Sequence, residues 1–360
     1  MAYTTIDDPS AYFQATTYTG GGANTEVTNS GNSDLKPDFL WIKNRTAGYA
    51  HFVVDSNRNI SYAQNSSNAP YLEINDTSVE NNNQNWMASV NTDGFTTGIS
   101  EHINNNSGSA YVAWQWKCNG GTKATNTAGS IDSVVQANTV AGFSIVTYTG
   151  TGGNITVGHG LGVAPSAIII KSRTSTLPWV VWTAGMASGT TSVSELNQGG
   201  AEQTVSNYWY NGFSSTTFGL GTGTYSHNTN NANYIAYCFA EKQGYSKFGN
   251  YVGNGNAAGA LVYTGFKPAW VMVKKTNASG DSWAIFDNKR STFNVIGKEI
   301  AANEGSAEYV RTAANTDFLS NGFKIRNTDG WHNAAGSTYI YMAFAENPFV
   351  TSKGVPATGR

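Results

Sequence analysis

The chain has 360 residues, with 21 basic against 23 acidic side chains, a formal charge of -2, 12% charged, 39% hydrophobic and 12% aromatic residues. A charged share near half the usual ~25%, beside an ordinary apolar share, excludes a disordered chain, and the balanced charge excludes an overall electrostatic grip on nucleic acid or an anionic membrane. At roughly 100 to 200 residues per domain the length makes room for two or three domains, and 40 glycines with many Asn, Thr and Ser point to an all-β protein with many loops.

The start, Met1 to Asp8, lacks the basic and apolar blocks of a signal peptide, and no apolar run approaches the ~18 residues that span a bilayer. The expectation is a protein made in a cytoplasm, without membrane insertion. Tyr3, Ile6, Tyr12 and Phe13 stand apolar ahead of the first repeated element, so residues 1–17 read as an arm that attaches to a neighbouring molecule.

From there the chain repeats itself. A strand runs into a glycine turn at Tyr18-Thr19-Gly20, Tyr148-Thr149-Gly150 and Tyr251-Val252-Gly253. A proline-led apolar strand ending in lysine follows at Pro37 to Lys43, Pro165 to Lys171 and Pro268 to Lys274, then a short aromatic strand at His51 to Asp55, Trp179 to Trp182 and Trp283 to Asp287. Asp93-Gly94-Phe95, Asn211-Gly212-Phe213 and Asn321-Gly322-Phe323 signal tight hairpins, and the closing strands are Tyr111 to Trp116, Tyr234 to Phe239 and Tyr339 to Phe344. The spacing predicts three tandem duplicated antiparallel β-sandwich domains, jelly-roll or lectin-like, at 18–118, 142–246 and 247–347, with opening and closing strands paired. Residues 119–141, rich in Gly, Thr and Ser, read as a flexible linker that leaves the first domain less firmly seated than the other two, and 348–360 as a tail.

The chemistry-bearing residues form no catalytic set. Asp55 and Asp287 recur after the aromatic strand where Thr183 interrupts the pattern, and Glu241 and Glu346 recur where the first repeat has Lys117-Cys118; residues shared between repeats report the fold. The five histidines show no metal-ligand spacing, His159-Gly160-Leu161-Gly162 precedes a strand rather than a helix, and Cys118 and Cys238 have no zinc or disulfide pattern. The expectation is a chain that is not an enzyme and holds neither metal nor cofactor. Trp86, Trp209, Tyr210 and Trp331, in Asn-rich or Gly-rich stretches, are candidate sugar contacts through ring stacking.

The opening Tyr3 to Gln14, the segments Gly142 to Gly152 and Val157 to Pro165, Ile235 to Gly249 and Thr264 to Pro268 resemble virion structural proteins of tailed marine bacteriophages, which carry a repeated β domain of unknown function. The resemblance implies a place in the virion, as a tail fibre or spike contacting the host surface, with capsid decoration or a tail accessory part as alternatives and a secreted carbohydrate-binding module as the competing class. It implies other virion proteins as partners, a homo-oligomer with a trimer favoured, and a host surface glycan as ligand.

Overall fold

The β-branched and aromatic segments of each repeat form strands, as their alternation requires. The computed structural model describes residues 2–58, 70–82, 86–100, 102–104, 107–222, 227–311 and 316–359. In the first unit β1 (Phe13–Thr19), β2 (Glu26–Val27), β3 (Phe39–Asn44), β4 (Phe52–Asp55), β5 (Leu72–Glu73), β6 (Met87–Val90), β7 (Phe95–Thr97) and β8 (Ala110–Trp116) build a large sheet, β1-β8-β3-β4-β5, and a small one, β2-β7-β6. The second unit holds β9 (Ala124–Asn126), β10 (Ser133–Asn138), β11 (Phe143–Thr149), β12 (Ile155–Gly158), β13 (Ala167–Ser172), β14 (Val180–Thr183), β15 (Ser192–Glu195), β16 (Gln203–Thr204), β17 (Thr217–Leu220) and β18 (Asn233–Phe239). Its sheets run β16-β15-β14-β13-β18-β11-β10-β9 and β12-β17. The third holds β19 (Ser246–Val252), β20 (Leu261–Tyr263), β21 (Phe266–Lys275), β22 (Ala284–Asp287), β23 (Lys298–Ala301), β24 (Tyr309–Val310), β25 (Thr316–Leu319), β26 (Gly322–Ile325) and β27 (Thr338–Pro348), ordered β19-β27-β21-β22-β23-β24 and β20-β26-β25.

The protein is thus an all-β, antiparallel sandwich fold, and one pairing order recurs in the three large sheets: opening strand, closing strand, proline-led strand, aromatic strand. The opening and closing strands pair as expected, with Tyr18 opposite Tyr111, Tyr148 opposite Tyr234 and Tyr251 opposite Tyr339. These tyrosine pairs stack with centroids 5.1, 5.1 and 4.9 Å apart. Two of the three Asx-Gly signals close hairpins, between β6 and β7 and between β25 and β26. Gly94 sits at φ +94° with Val27 O 2.0 Å from where a Cβ would lie, so no other residue fits that turn. The third signal fails: Asn211-Gly212 leads to an isolated bridge between Phe213 and Phe218 instead.

The outer face of each large sheet packs on its small sheet. In the first unit Val27, Phe52, Phe95 and Tyr111 form that layer, and in the third Val262, Phe286, Phe323 and Tyr341 do. The inner faces share one core that joins Phe13, Phe39 and Trp116 to Phe143, Tyr237 and Phe239 and to Trp270 and Phe344. Phe39 lies 4.4 Å from Tyr237, Phe13 5.4 Å from Phe344 and Phe239 5.7 Å from Phe344, so aromatic edges and faces cross every seam between units.

This sharing corrects three expectations. Residues 119–141 are not a free linker: β9 and β10 extend the second large sheet, with Val135 opposite Val146, and Asn57 of the first unit donates to Val134 O and Ile145 O at 2.9 Å. The first unit is therefore tied to the second by these hydrogen bonds and by the shared core, and is not loosely seated. The arm is spoken for within the chain as well. Tyr3 OH donates to Gly265 O, Thr4 Oγ1 to Gln243 O, Ile6 and Phe13 are 2% exposed in the shared core, and Tyr12 meets Tyr245 edge-on. A segment buried this way against the third unit is not available as an attachment arm. No helix among the described residues is long and apolar enough to cross a membrane.

Candidate functional site

Ionisable side chains gather at the seams between units, and the fold places them there by repeat. Asp55 ends β4, and its Oδ1 accepts from Asn57 N and Arg58 N while its Oδ2 accepts from Arg58 Nε at 2.5 Å and from Tyr237 OH of the second unit at 2.6 Å. Asp287 ends β22 in the same way, bound to Lys289 N, Arg290 N and Arg290 Nε, with Trp114 Nε1 of the first unit donating at 3.0 Å. Each arginine then passes the charge on. Arg58 reaches Glu80, which takes a two-pronged grip from Arg173 of the second unit at 2.8 Å, and Arg290 reaches Glu308, gripped by Arg45 of the first unit at 2.9 Å.

Burial alone opposes these charges, and the partners overcome it. Desolvation works against Asp287 and Glu80, but Arg290 beside the one and Arg173 and Arg58 beside the other hold both carboxyls below their usual range. Desolvation likewise opposes the Arg58 guanidinium, which Asp55, Tyr237 and Glu80 keep charged. The seam between second and third units is built differently. Glu202 N bonds Thr276 O there as Glu80 N bonds Arg173 O and Glu308 N bonds Arg45 O, yet the aspartate and arginine positions carry Thr183 and Met186. Met342 stands on β27 where Tyr237 and Trp114 stand on β18 and β8. The ion pairs are absent at this seam: Thr183, Met186, Met342 and Thr276 stand in place of their partners, and the retained carboxylate, Glu202, accepts instead from Ser192 Oγ of its own unit.

A second tie goes round the ring. His51 Nε2 lies 3.0 Å from Ala301 O of the third unit, Trp179 Nε1 donates to Glu73 O of the first, and Trp283 Nε1 donates to Glu195 O of the second. The repeated lysines lie alongside: Lys43 Nζ donates to Asn44 O and to Gly305 O of the third unit, and Lys171 Nζ to Ser172 O and to Thr77 O of the first. Lys274 Nζ donates to Lys275 O. Burial lowers these lysines to about 7 for Lys43 and about 8 for Lys171 and Lys274.

The predicted sugar contacts do not converge. Trp86 stacks on Tyr71 at 4.2 Å and is flanked by Phe52 and His102; Trp209 is 2% exposed and donates to Ser192 O; Arg311 lies 4.8 Å over the Trp331 ring. Each of these three rings has its face engaged within its own unit, and Tyr210, half-buried, lies in the second unit beside Trp209. Sequence reasoning missed that the tryptophans of the repeats proper, Trp114, Trp179 and Trp283, carry the ties between units. Trp179 and Trp283 open the same repeated strand, and that recurrence was the available signal for two of the three.

The remaining sequence candidates are also in structural contacts. His159 Nδ1 accepts from Leu161 N within its turn, Glu241 pairs with Lys247 and Glu346 with Lys267. Cys118 and Cys238 are free and buried, and burial pushes both thiols up. Among the described residues no three His, Cys, Asp or Glu side chains are grouped to hold a metal ion. No curated protein and no solved structure matches the chain. A family model does match, over residues 8–348 and hence all three units, and on it the chain belongs to the family described as a domain of unknown function, DUF7483.

Proposed function

We propose that the chain is a non-enzymatic structural component of a tailed-phage virion, a fibre or spike element that meets the host surface. The observation that carries this reading is the use of the ionisable side chains: Asp55, Arg58 and Glu80, and Asp287, Arg290 and Glu308, are committed to holding one unit against the next. The resemblance of the chain to virion structural proteins of marine phages supports it from the sequence side. A particle part must persist outside the cell that made it. Cohesion through apolar burial and buried ion pairs is screened little by salt, and two free buried cysteines leave it indifferent to redox state.

In this reading the partners are other virion proteins, further copies of the chain in a homo-oligomer, with a trimer expected, and a host surface glycan whose weak affinity several copies would multiply. The test is adsorption: purified protein binds host cells of the phage that encodes it and blocks infection. Binding to emptied capsids but not to cells would make it a capsid decoration protein. Absence of the chain from purified virions by mass spectrometry would remove the reading altogether.

A further inference from the structure

Strand β11 of the second unit has β10 along its outer edge, whereas its counterpart β1 in the first unit is an edge strand among the described residues. Where a strand beside β1 would run, the structure has a cavity of about 350 Å³ at the seam of the third and first units. It is bounded by Phe13, Gln14 and Ala15 of β1, by the loop Ser30 to Asn32, whose Gly31 N donates to Gln14 Oε1, and by Ala269, Asn288 and Lys289.

The two seams correspond residue by residue. Ser56 N donates to Asp38 O at one and Asn288 N to Ala269 O at the other, which matches Ser56 to Asn288, Asn57 to Lys289 and Asp38 to Ala269. At the filled seam Ser56 Oγ lies 2.9 Å from Gln136 Oε1, and Asn57 Nδ2 donates to Val134 O at 2.9 Å, so both residues grip β10. At the open seam Asn288 is 5% exposed, its Nδ2 donates to Glu346, and its buried Oδ1 has no hydrogen-bond partner among the described residues. An amide oxygen buried without a donor costs free energy until a donor arrives. Lys289, whose Nζ donates to Ser30 Oγ at 3.0 Å, stands where Asn57 holds a strand carbonyl. Ala269 replaces Asp38 and leaves room.

We propose that this seam accepts one extended strand of another polypeptide, which adds to the edge of β1 as β10 adds to β11. The incoming strand gives a side-chain hydrogen to Asn288 Oδ1 and offers a backbone carbonyl to Lys289. Ala15, Ala269 and Ala345 line the slot and leave room there for its side chains. The donor is a different protein rather than a second copy, since the strand of this chemistry in the chain itself, β10, is held by β9, β11 and Asn57. The inference stands on the seam and holds whatever place the chain has in a particle.

The probe is a labelled peptide with the sequence of Asp132 to Thr139, titrated against the full chain by fluorescence anisotropy. Saturable binding is expected, weakened about tenfold, a loss of ~1.4 kcal/mol, when alanine replaces the glutamine of the peptide and when the chain carries Lys289→Ala. Thr17→Pro is a second variant. The carbonyls of Phe143 and Ile145 accept from outside the β11–β18 pair, from Cys118 Sγ and Asn57 Nδ2, so the same phase of β1 turns its backbone outward at Thr17, and proline there removes an edge donor without touching the core. Both variants should melt like the parent. No saturable binding, or equal binding by both variants, overturns the proposal. Self-association of the chain that both variants abolish would overturn the choice of a foreign donor, and displacement of the peptide by soluble glycan would overturn the choice of a strand.

Discussion

At the scale of single residues, the two seams that hold an Asp–Arg pair and the one that lacks it make opposite predictions. Asp287→Ala strands Arg290 in a buried site, and removing one partner of such a pair costs about 3–5 kcal/mol, read as a shift in the denaturant midpoint. Thr183→Val at the matching place of the second unit removes a buried hydroxyl that has no hydrogen-bond partner among the described residues, and should raise stability by about 1 kcal/mol. The lysines set the pH dependence. Their folded-state values near 7 to 8 lie below the ordinary 10.5, so between about pH 7 and 10 the unfolded chain binds more protons and stability rises with pH. Tyr18, Tyr148 and Tyr251, raised by burial, reverse the trend above about 10, because the unfolded tyrosines then ionise first. Denaturant midpoints measured from pH 6.5 to 11 should therefore pass through a maximum, and Lys43→Met should flatten the rising limb. The repeated Asp and Lys positions were legible in the sequence. Their partners were not, because Tyr237 and Trp114 lie 182 and 173 residues from the aspartates they serve.

At the scale of elements, opening, closing, proline-led and aromatic strands were readable because alternation and β-branching act locally. The segment Ala124–Asn138 was not, because Gly, Thr and Ser dominate its neighbourhood while Val134, Val135 and Ala137 carry its strand character. What makes it a strand is the free edge of β11 beside it, which no local rule contains. Limited proteolysis should spare residues 119–141. Val135→Asp, which puts an unpaired charge opposite Val146, should cost about 3 kcal/mol and open that segment to cleavage. The opening segment was misread for a related reason. Phe13, stacked on Phe344 and tilted against Trp116, serves the shared core, so Phe13→Ala should cost about 3–5 kcal/mol of stability rather than act on attachment.

At the scale of the whole molecule, the three large sheets are not beads on a string. Residues 142–246, expressed alone, would uncover Trp179, Tyr237 and Phe239 and leave behind β9 and β10, so the fragment is expected to bind hydrophobic dyes and melt without a sharp transition, contrary to the autonomy that its complete set of landmarks suggests. Three-unit order was visible in the repeats; the closing of the units on one another was not, since ties such as Trp283 to Glu195 and His51 to Ala301 join residues of different repeats. The central claim is that the aromatic and ionisable residues make a single closed ring of units, and scanning calorimetry of the full chain tests it most directly. One transition is predicted, with the calorimetric enthalpy equal to the van't Hoff enthalpy, and Asp287→Ala should lower it as a whole. Two or three separable transitions, with the variant shifting one of them, would contradict the account.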